Sequence, residues 1–347
     1  MDRNHKITLA DIAQEAGVSK QTVSRVVNNH PDVGRRTRDK IQTIIDRIGY
    51  QPNLMARSLS ARQSHIIGVI IARLDQFGPS TVLMEIDREA HAAGYRVIPY
   101  IIHDDDMSDA DKHLGNLMTF QPDGIVWAMT REDTSPESLE QQNIPDSIPI
   151  VTTNMDIINA PSAFVIDEVD SSKCAVNHLI EQNYRKIGII TGPLNWSISH
   201  KRLAGWRQAL ADADLPNHDA QIVEGNWTAS SGEQGMVQLF DQFPDVDAVF
   251  ACNDQMALGA LNVIQSRGIQ VPQTLGIVGY DDIPEARYFT PGLTTMHQPF
   301  SEYGKIIIQA LLKMVGQNQN DEQSIILPEA KIMRPKLIVR GSSLRNG

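Results

Sequence analysis

From Ile66 onward the chain alternates short apolar runs with helix-length amphipathic stretches, and the series runs twice. Parallel strands cannot be joined by a tight turn and need a crossover of a dozen or more residues, usually a helix. The rhythm therefore restricts this region to βαβ units on parallel sheets. The first series predicts strands at Ile66–Ala72, Arg96–Ile102, Gly124–Met129, Pro149–Asn154 and Phe164–Asp167, with helices at Ser80–Ala93 and Asp109–Phe120. The second predicts helices at Ser171–Gln182, Ser199–Asp212, Ser230–Phe243 and Gln255–Arg267. Its strands are predicted at Lys186–Gly192, Ile222–Gly225, Ala248–Asn253 and Gly276–Tyr280. A last helix, Phe300–Val315, and late strands near Ile325 and Ile338 are predicted to follow. The expected fold class is α/β, with two similar doubly wound lobes.

At 347 residues the chain exceeds one average domain. With 41% hydrophobic and 21% charged residues it can bury sizeable cores. Its formal net charge of −11 argues at first against a polyanionic partner, but the charge is unevenly spread. Residues 1–65 hold 11 basic and 6 acidic residues, a net of +5, which leaves −16 on the remainder. A basic head on an acidic body points to nucleic-acid contact by one segment only. The longest apolar run, Ile66–Ala72, falls far short of the roughly 20 residues a membrane-spanning helix needs. The polar N-terminus leads to no signal-type stretch. A cytoplasmic protein without membrane contact is expected. Cys174 and Cys252 make neither a metal spacing nor a disulfide framework, and both are expected to be buried thiols. No metal or cofactor is expected.

Segment 1–52 has a helical period. Thr8 is placed to cap a helix, with Asp11 three residues on. Leu9–Ala16 ends at Gly17, the residue that suits a left-handed C-terminal turn. Ser19 can cap the next helix, Lys20–Asn28, whose Val23, Val26 and Val27 share a face. Two short helices joined by a glycine-containing turn make a helix-turn-helix. A third helix, about Arg35–Ile48, brings Ile41, Ile44, Ile45 and Ile48 onto one side to close a three-helix core. The start of the second helix would meet base edges in the major groove. Gln21 can hydrogen-bond an adenine edge and Lys20 or Arg25 a guanine edge. Ser19, Thr22, Arg36 and Lys40 suit phosphate contact. The plainer reading, solvated polar faces of a small helical domain, remains open at this point.

Doubly wound lobes bind ligands in the crevice beyond the carboxyl ends of their strands. Ser197, Ser199, Arg202 and Trp206 follow one strand, Asn253, Asp254 and Gln255 another, and Asp281 and Asp282 a third; Trp227 follows the strand at Ile222. Carboxylates, amides, an arginine and an indole suit a polyhydroxylated ligand, with bidentate hydrogen bonds to adjacent hydroxyls and an aromatic face against the C–H side. Each has a structural alternative. Asp281 and Asp282 can cap the next turn, Arg202 can be a surface ion-pair partner, and Trp227 can be core. Trp206 is expected in the core, and Asp254 is expected to be the N-cap of the helix that follows.

The run Thr8-Leu-Ala-Asp-Ile-Ala-Gln-Glu-Ala-Gly-Val-Ser-Lys-Gln-Thr-Val-Ser-Arg-Val-Val-Asn28 resembles the head of the LacI/GalR family of transcriptional regulators. Gly49-Tyr-Gln-Pro-Asn53 resembles the lead into that family's hinge helix. Gly192-Pro-Leu, Arg202-Leu-Ala-Gly-Trp206, Gly225-Asn-Trp227, Asn253-Asp-Gln-Met-Ala-Leu-Gly259, Val278-Gly-Tyr-Asp-Asp282 and Pro291-Gly-Leu-Thr-Thr-Met-His-Gln-Pro-Phe300 extend the resemblance over nearly the whole chain. It implies a helix-turn-helix head at 1–52, a hinge helix and linker at 53–65, and a periplasmic-binding-protein-like core at 66–347. The core's lobe 1 would be about 66–166 and 298–327, and its lobe 2 about 167–297 and 328–340. DNA contacts would come from Thr8, Ser19, Lys20, Gln21, Thr22, Ser24, Arg25, Asn28 and Asn53. In a dimer, Leu59 of the hinge at 53–62 would wedge into the minor groove and kink the duplex; the alternative is that Leu54, Met55 and Leu59 pack a linker helix against the body.

By the same resemblance Arg202, Asn253 and Asp281 would take ligand hydroxyls, with Asn154 also in the pocket. Trp227 and Phe300 would form apolar walls, Gln298 would lie near the crossover, and the segment Gln76-Phe77-Gly78-Pro79 would face the ligand from the first lobe. The implied partners are double-stranded operator DNA, a small sugar such as a galactoside, and a second copy of the chain. Lys20, Ile198 and Asn154 depart from the residues of lactose-type members (a tyrosine, a serine and an acidic residue), so the operator and the exact sugar need not be theirs. No leucine-heptad tail follows Ser342–Gly347, and a dimer is the expected assembly. The expected function is a repressor controlled by a sugar, the alternative being a purine-responsive regulator of the same family. A transport binding protein would leave the head unexplained. An enzyme is not expected, since neither a Gly-x-x-x-x-Gly-Lys loop nor a Gly-x-Ser-x-Gly elbow is present.

Overall fold

The computed structural model describes residues 7–27, 30–50, 63–102, 110–128, 148–153, 164–319 and 331–345. Asn28, Asn53, Leu59, Asn154, the hinge at 53–62 and the strand expected near Ile325 lie outside the described residues. Chain contacts divide the molecule into two units, residues 1–65 and 66–347.

The first unit contains α1 (Leu9–Ala16), α2 (Lys20–Val27) and α3 (Arg35–Ile48). The Thr8 amide and hydroxyl both donate to the Asp11 carboxylate, at 2.7 and 2.8 Å, which fixes the start of α1. Gly17, at φ 66°, ends it in the left-handed turn that a side chain would strain. Ser19 Oγ accepts from the Thr22 amide at 3.0 Å, so α2 starts on a true N-cap. Ile12, Val23, Val26, Ile41, Ile44 and Ile45 close the core between the three helices. Lys40 donates from Nζ to the Ala16 carbonyl at 2.8 Å and satisfies the end of α1.

Among the described residues the second unit holds two open sheets and a separate two-stranded pair. The first is built from β1 (Ile66–Ala72), β2 (Arg96–Ile102), β3 (Gly124–Ala128) and β4 (Ile150–Thr152), all parallel, in the order β2-β1-β3-β4. Helices α4 (Phe77–Ala92) and α5 (Ala110–Met118) belong to it. Next come β5 (Phe164–Ile166), α6 (Glu168–Glu181), β6 (Ile187–Thr191), α7 (Ser197–Asp212) and β7 (Ile222–Glu224). They are followed by α8 (Ala229–Gln242), β8 (Ala248–Ala251), α9 (Asp254–Ser266) and β9 (Gly276–Asp281). The chain then runs through β10 (Thr294–His297), α10 (Phe300–Gln319), β11 (Lys331–Met333) and β12 (Lys336–Ile338). The second sheet has the order β12-β10-β9-β8-β6-β7 and is parallel except for its β10–β12 edge pair. Strands β5 and β11 pair side by side. Ile166 and Met333 pack in the first core while α6 and β12 belong to the second lobe, so the chain crosses between lobes just after each of them, the last crossing lying after Met333 rather than at the expected 327–328 because β11 pairs with β5.

Three sequence expectations are corrected here. Helix α4 begins at Phe77 rather than Ser80, because Pro79 tolerates the first turn, where its missing N–H costs nothing. Cys174 is exposed on α6, while Cys252 is buried as expected. Asp254 is not the N-cap of α9. Asn253 holds that place, accepting the Met256 amide at 2.8 Å. Asp254 instead turns into the core, accepting from Thr295 Oγ1 at 2.6 Å and the Ile283 amide at 2.8 Å. Strand β10, absent from the sequence reading, is hidden by its two threonines, which are fully buried and hydrogen-bonded.

Candidate functional site

The carboxyl ends of the two sheets face a cavity of about 90 Å³, which can hold several waters or an equivalent ligand group. Ile71, Ala128 and Thr153 reach it from the first sheet; Trp196, Ile198, Arg202, Trp227, Asn253 and Asp281 reach it from loops and helices that follow strands of the second. The N-terminal ends of α4 and α10 contribute Gln76, Phe77, Gly78, Pro79, Gln298, Phe300 and Tyr303. Phe77 packs against both hydrophobic cores, and its ring meets Phe300 edge-on at 5.9 Å between centroids. Trp196 and Trp227 meet likewise at 6.1 Å.

Arg202 organises the polar side. It is 2% exposed and donates from Nε to Glu168 Oε2 at 2.8 Å and from Nη1 to the Cys252 carbonyl. Its Nη2 lies 3.9 Å from Asp281 Oδ1, and its guanidinium stacks 3.6 Å from the Tyr280 ring centroid. Burial works against its charge, but Glu168, Tyr280 and Asp281 outweigh burial and hold its pKa above the ordinary arginine value. Asp281 shows the opposite balance. Burial pushes its carboxyl up to about 6, against the pull of Arg202 and of the Gln298 amide, whose Nε2 donates to Oδ1 at 2.8 Å. Burial likewise pushes the Cys252 thiol up to about 12, which leaves it neutral and unreactive.

The backbone at the site is unusual. Trp227 and Asp281 have φ of 71° and 110°, outside the range most side chains adopt. Asn253 Nδ2 donates to the Trp227 carbonyl at 2.8 Å and pins that turn. Among the described residues, three cavity groups have no hydrogen-bond partner: Gln76 Nε2, Trp227 Nε1 and Gln298 Oε1. Buried polar atoms are rarely left unpaired, and here two donors and one acceptor look into the same space.

The expected ligand residues Phe77, Pro79, Arg202, Trp227, Asn253, Asp281, Gln298 and Phe300 are thus brought together. The surface ion-pair reading of Arg202 is excluded by its burial. Trp227 is both core and cavity wall, and Trp206 is core. Asp281 and Asp282 do not cap the turn after β9, a task Asp254 performs at Ile283. Asp282 instead binds Arg340 at 2.7 Å and His297 at 3.0 Å. The sequence reading missed Glu168, Tyr280, Trp196, Thr153 and Tyr303. Glu168 follows strand β5 by two residues, so the strand-end rule would have reached it.

On the head, Ser19, Lys20, Gln21 and Arg25 are exposed, with Ser24 and Thr22 half-buried, on or beside the outer face of α2; Thr8 is exposed at the start of α1. The Ser19 and Thr22 hydroxyls are 2.8 Å apart. Among the described residues no helix is long and apolar enough to cross a membrane.

Residues 8–53 match the family model of bacterial regulatory proteins of the lacI family, and residues 176–343 match that of a periplasmic binding protein-like domain. Catabolite control protein A of Priestia megaterium is 32% identical over 327 residues, covering 93% of this chain and 96% of the relative. HTH-type transcriptional repressor PurR of Haemophilus influenzae is 32% identical, covering 96% and 98%. Lactose operon repressor of Escherichia coli K12 is 30% identical, covering 94% and 90%. A crystal structure of the lac repressor dimer bound to operator and the anti-inducer ONPF superposes with a TM-score of 0.87 at 28% identity, covering 98% of this chain and all of that one. The PurR and lactose operon relatives are repressors rather than enzymes, and with likeness running from the capped helix-turn-helix to the interlobe cavity, the chain belongs to the LacI family of DNA-binding transcriptional repressors.

Proposed function

We propose that the protein is a cytoplasmic, homodimeric repressor whose grip on a palindromic operator is controlled by a small sugar held between the lobes. The division would be a DNA-reading head at 1–52, a hinge at 53–65 and an effector core at 66–347, with lobe crossings after Ile166, His297 and Met333. The carrying observation is the cavity itself. Arg202 and Asp281 are fixed side by side, unpartnered Gln76, Trp227 and Gln298 atoms supply donors and an acceptor, and five aromatic rings form the walls. Hydroxyls are both donors and acceptors and meet such a set in pairs, while aromatic rings cover the C–H faces of a sugar. Gln21, Lys20 and Arg25 would read bases, with Thr8, Ser19, Thr22 and Ser24 holding phosphates. Asn28, Asn53 and Leu59 would complete the DNA surface and Asn154 the pocket. A sugar that closes the cleft would change the spacing of two heads, a coupling that must be reciprocal: operator weakens an inducer as inducer weakens operator.

A thermal-shift screen of mono- and disaccharides and of purines, followed by operator titration with each hit, tests the reading. A sugar that both stabilises the protein and alters operator affinity is the expected result. Hits confined to purines would move the chain to the alternative class, and hits that leave operator affinity unchanged would remove the control function.

A further inference from the structure

We infer that Glu168 sets the charge of the effector cavity and restricts it to uncharged sugars, excluding those that carry a phosphate or a carboxylate. The inference rests on the sugar reading of the cavity and deepens it. Among the described residues lining the cavity, three ionise: Glu168, Arg202 and Asp281. A lone buried arginine in a ligand cleft would recruit an anion, since its planar fork matches phosphate and carboxylate. Here that fork already faces protein carboxylates. Glu168 takes Nε at 2.8 Å, the Cys252 carbonyl takes Nη1, and Nη2 faces Asp281 at 3.9 Å. Both partners of the ion pair are almost fully buried, at 2% and 7% side-chain exposure, so water does little to screen them. Arg202 is neutralised by Glu168 alone, and Asp281 remains as an unbalanced negative charge whenever it is ionised.

Of the three open groups, the Gln76 and Trp227 donors are uncharged and suit a hydroxyl as well as an anion, so the sign is set by the carboxylates and by the one open acceptor. Gln298, 5% exposed, keeps an unpaired acceptor in the cavity at Oε1, beside the carboxylate of Asp281 that its Nε2 contacts at 2.8 Å. Ligand hydroxyls can donate to these oxygens. A phosphate or carboxylate brings only acceptors and would face them with lone pairs against lone pairs. Glu168 does this without need of a direct ligand contact. It is a positioning residue that acts by occupying Arg202, and it lies two residues beyond strand β5, where the chain passes from one lobe to the other.

The test is calorimetric titration of the full-length protein, at pH 7.5, with glucose, galactose, ribose and lactose beside glucose 6-phosphate, galacturonate and ribose 5-phosphate. One unbalanced charge about 6 Å from an anion is worth about 100-fold at an effective dielectric of about 20. The best neutral sugar should therefore bind wild type at least about 100-fold more tightly than any anionic one. Glu168→Gln keeps an acceptor for Arg202 but removes the charge, and should narrow that ratio about 10-fold or more. Glu168→Asp keeps the charge and should keep the ratio. Tighter or equal binding of an anionic sugar by wild type overturns the inference while leaving the sugar reading intact. An unchanged ratio in a folded Glu168→Gln also overturns it, and should that variant not fold, the wild-type and Glu168→Asp ratios decide. If no sugar of either kind binds, the sugar reading and this inference fall together.

Discussion

Removing Arg202 should cost the protein its stability before it costs the protein its ligand. Two unit charges 2.8 Å apart attract by about 6 kcal/mol at an effective dielectric of about 20. Desolvation costs several kcal/mol per ion, so the intact Glu168–Arg202 pair nets little. The asymmetry appears when one member goes. Arg202→Met leaves Glu168 buried with no cation, the Cys252 carbonyl without its donor, and Asp281 beside a second carboxylate. The expected loss is about 3–5 kcal/mol, and Glu168→Leu should lose a similar amount by stranding the guanidinium. The double variant should lose about 2–3 kcal/mol less than the sum of the two. Urea unfolding at pH 7.5 reads this directly, because Trp196, Trp206 and Trp227 all lie in the second core. A cost below about 1 kcal/mol for Arg202→Met, or strict additivity in the cycle, would refute the account of Arg202 as the cavity's electrostatic centre. An Arg202→Ala protein that fails to respond to effector is therefore informative only after its folding has been measured.

Asp281 gives a pH signature. Its folded pKa of about 6 exceeds the unfolded value of about 3.9, so the folded state holds its proton longer. The associated stability is fully present below about pH 4 and is lost as pH rises through about 6. Asp281→Asn mimics the protonated form and tolerates positive φ. Chemical denaturation across pH 4–8 should show it more stable than wild type by up to about 3 kcal/mol at pH 8, with the difference vanishing near pH 4; a difference independent of pH would contradict the assignment. On the head, Gln21→Ala should relax preference at a single base pair by about 1–3 kcal/mol. Its salt slope should stay unchanged, since no phosphate contact is lost; binding to every sequence weakened alike would take Gln21 out of the base-reading role.

The head was legible because its determinants are local. Caps at Thr8 and Ser19, the left-handed turn at Gly17 and the isoleucine stripe on α3 are all set within a few residues of one another, and the helices formed as read. The cavity was half legible for a topological reason. Once strands are located, whatever follows their carboxyl ends must face the crevice, and Arg202, Asn253 and Asp281 came from that rule. What pairs with what inside the crevice was not legible. Glu168 is 34 positions from Arg202 and Asp254 is 41 from Thr295, so no periodicity links them. Asp254 was misjudged because Asn253 and Asp254 are both good caps, and only the buried hydroxyl of Thr295 decides which of them turns inward. The bond from Lys40 to the Ala16 carbonyl was hidden in the same way, since the two are 24 positions apart.

The first lobe's wall of the cavity is carried by two helix N-termini, and their packing dictates how ligand can act on the lobe. A Cβ added at Gly304 of α10 would lie 2.6 Å from the Glu85 Cβ and 3.0 Å from its backbone carbon on α4. At such proximity the helices have no room to slide independently. Phe77 at the head of α4 and Phe300 at the head of α10 are in edge contact, so a ligand that displaces one ring displaces both helices together. On the opposite wall, Trp227 and Asp281 are tied by Asn253 and Gln298. With both walls stiff, the low-cost response to ligand is rotation of one lobe against the other about the crossings, the hinge-like class of transition. Gly304→Ala should force α4 and α10 apart at a cost of about 1–3 kcal/mol. If the pair moves as a unit, that variant should also reduce the ratio of operator affinities with and without bound sugar. Unfolding curves and operator titrations on the same preparation separate the two effects. A Gly304→Ala protein that is destabilised yet keeps the full ratio would show that the helix pair is scaffold and that the signal passes elsewhere.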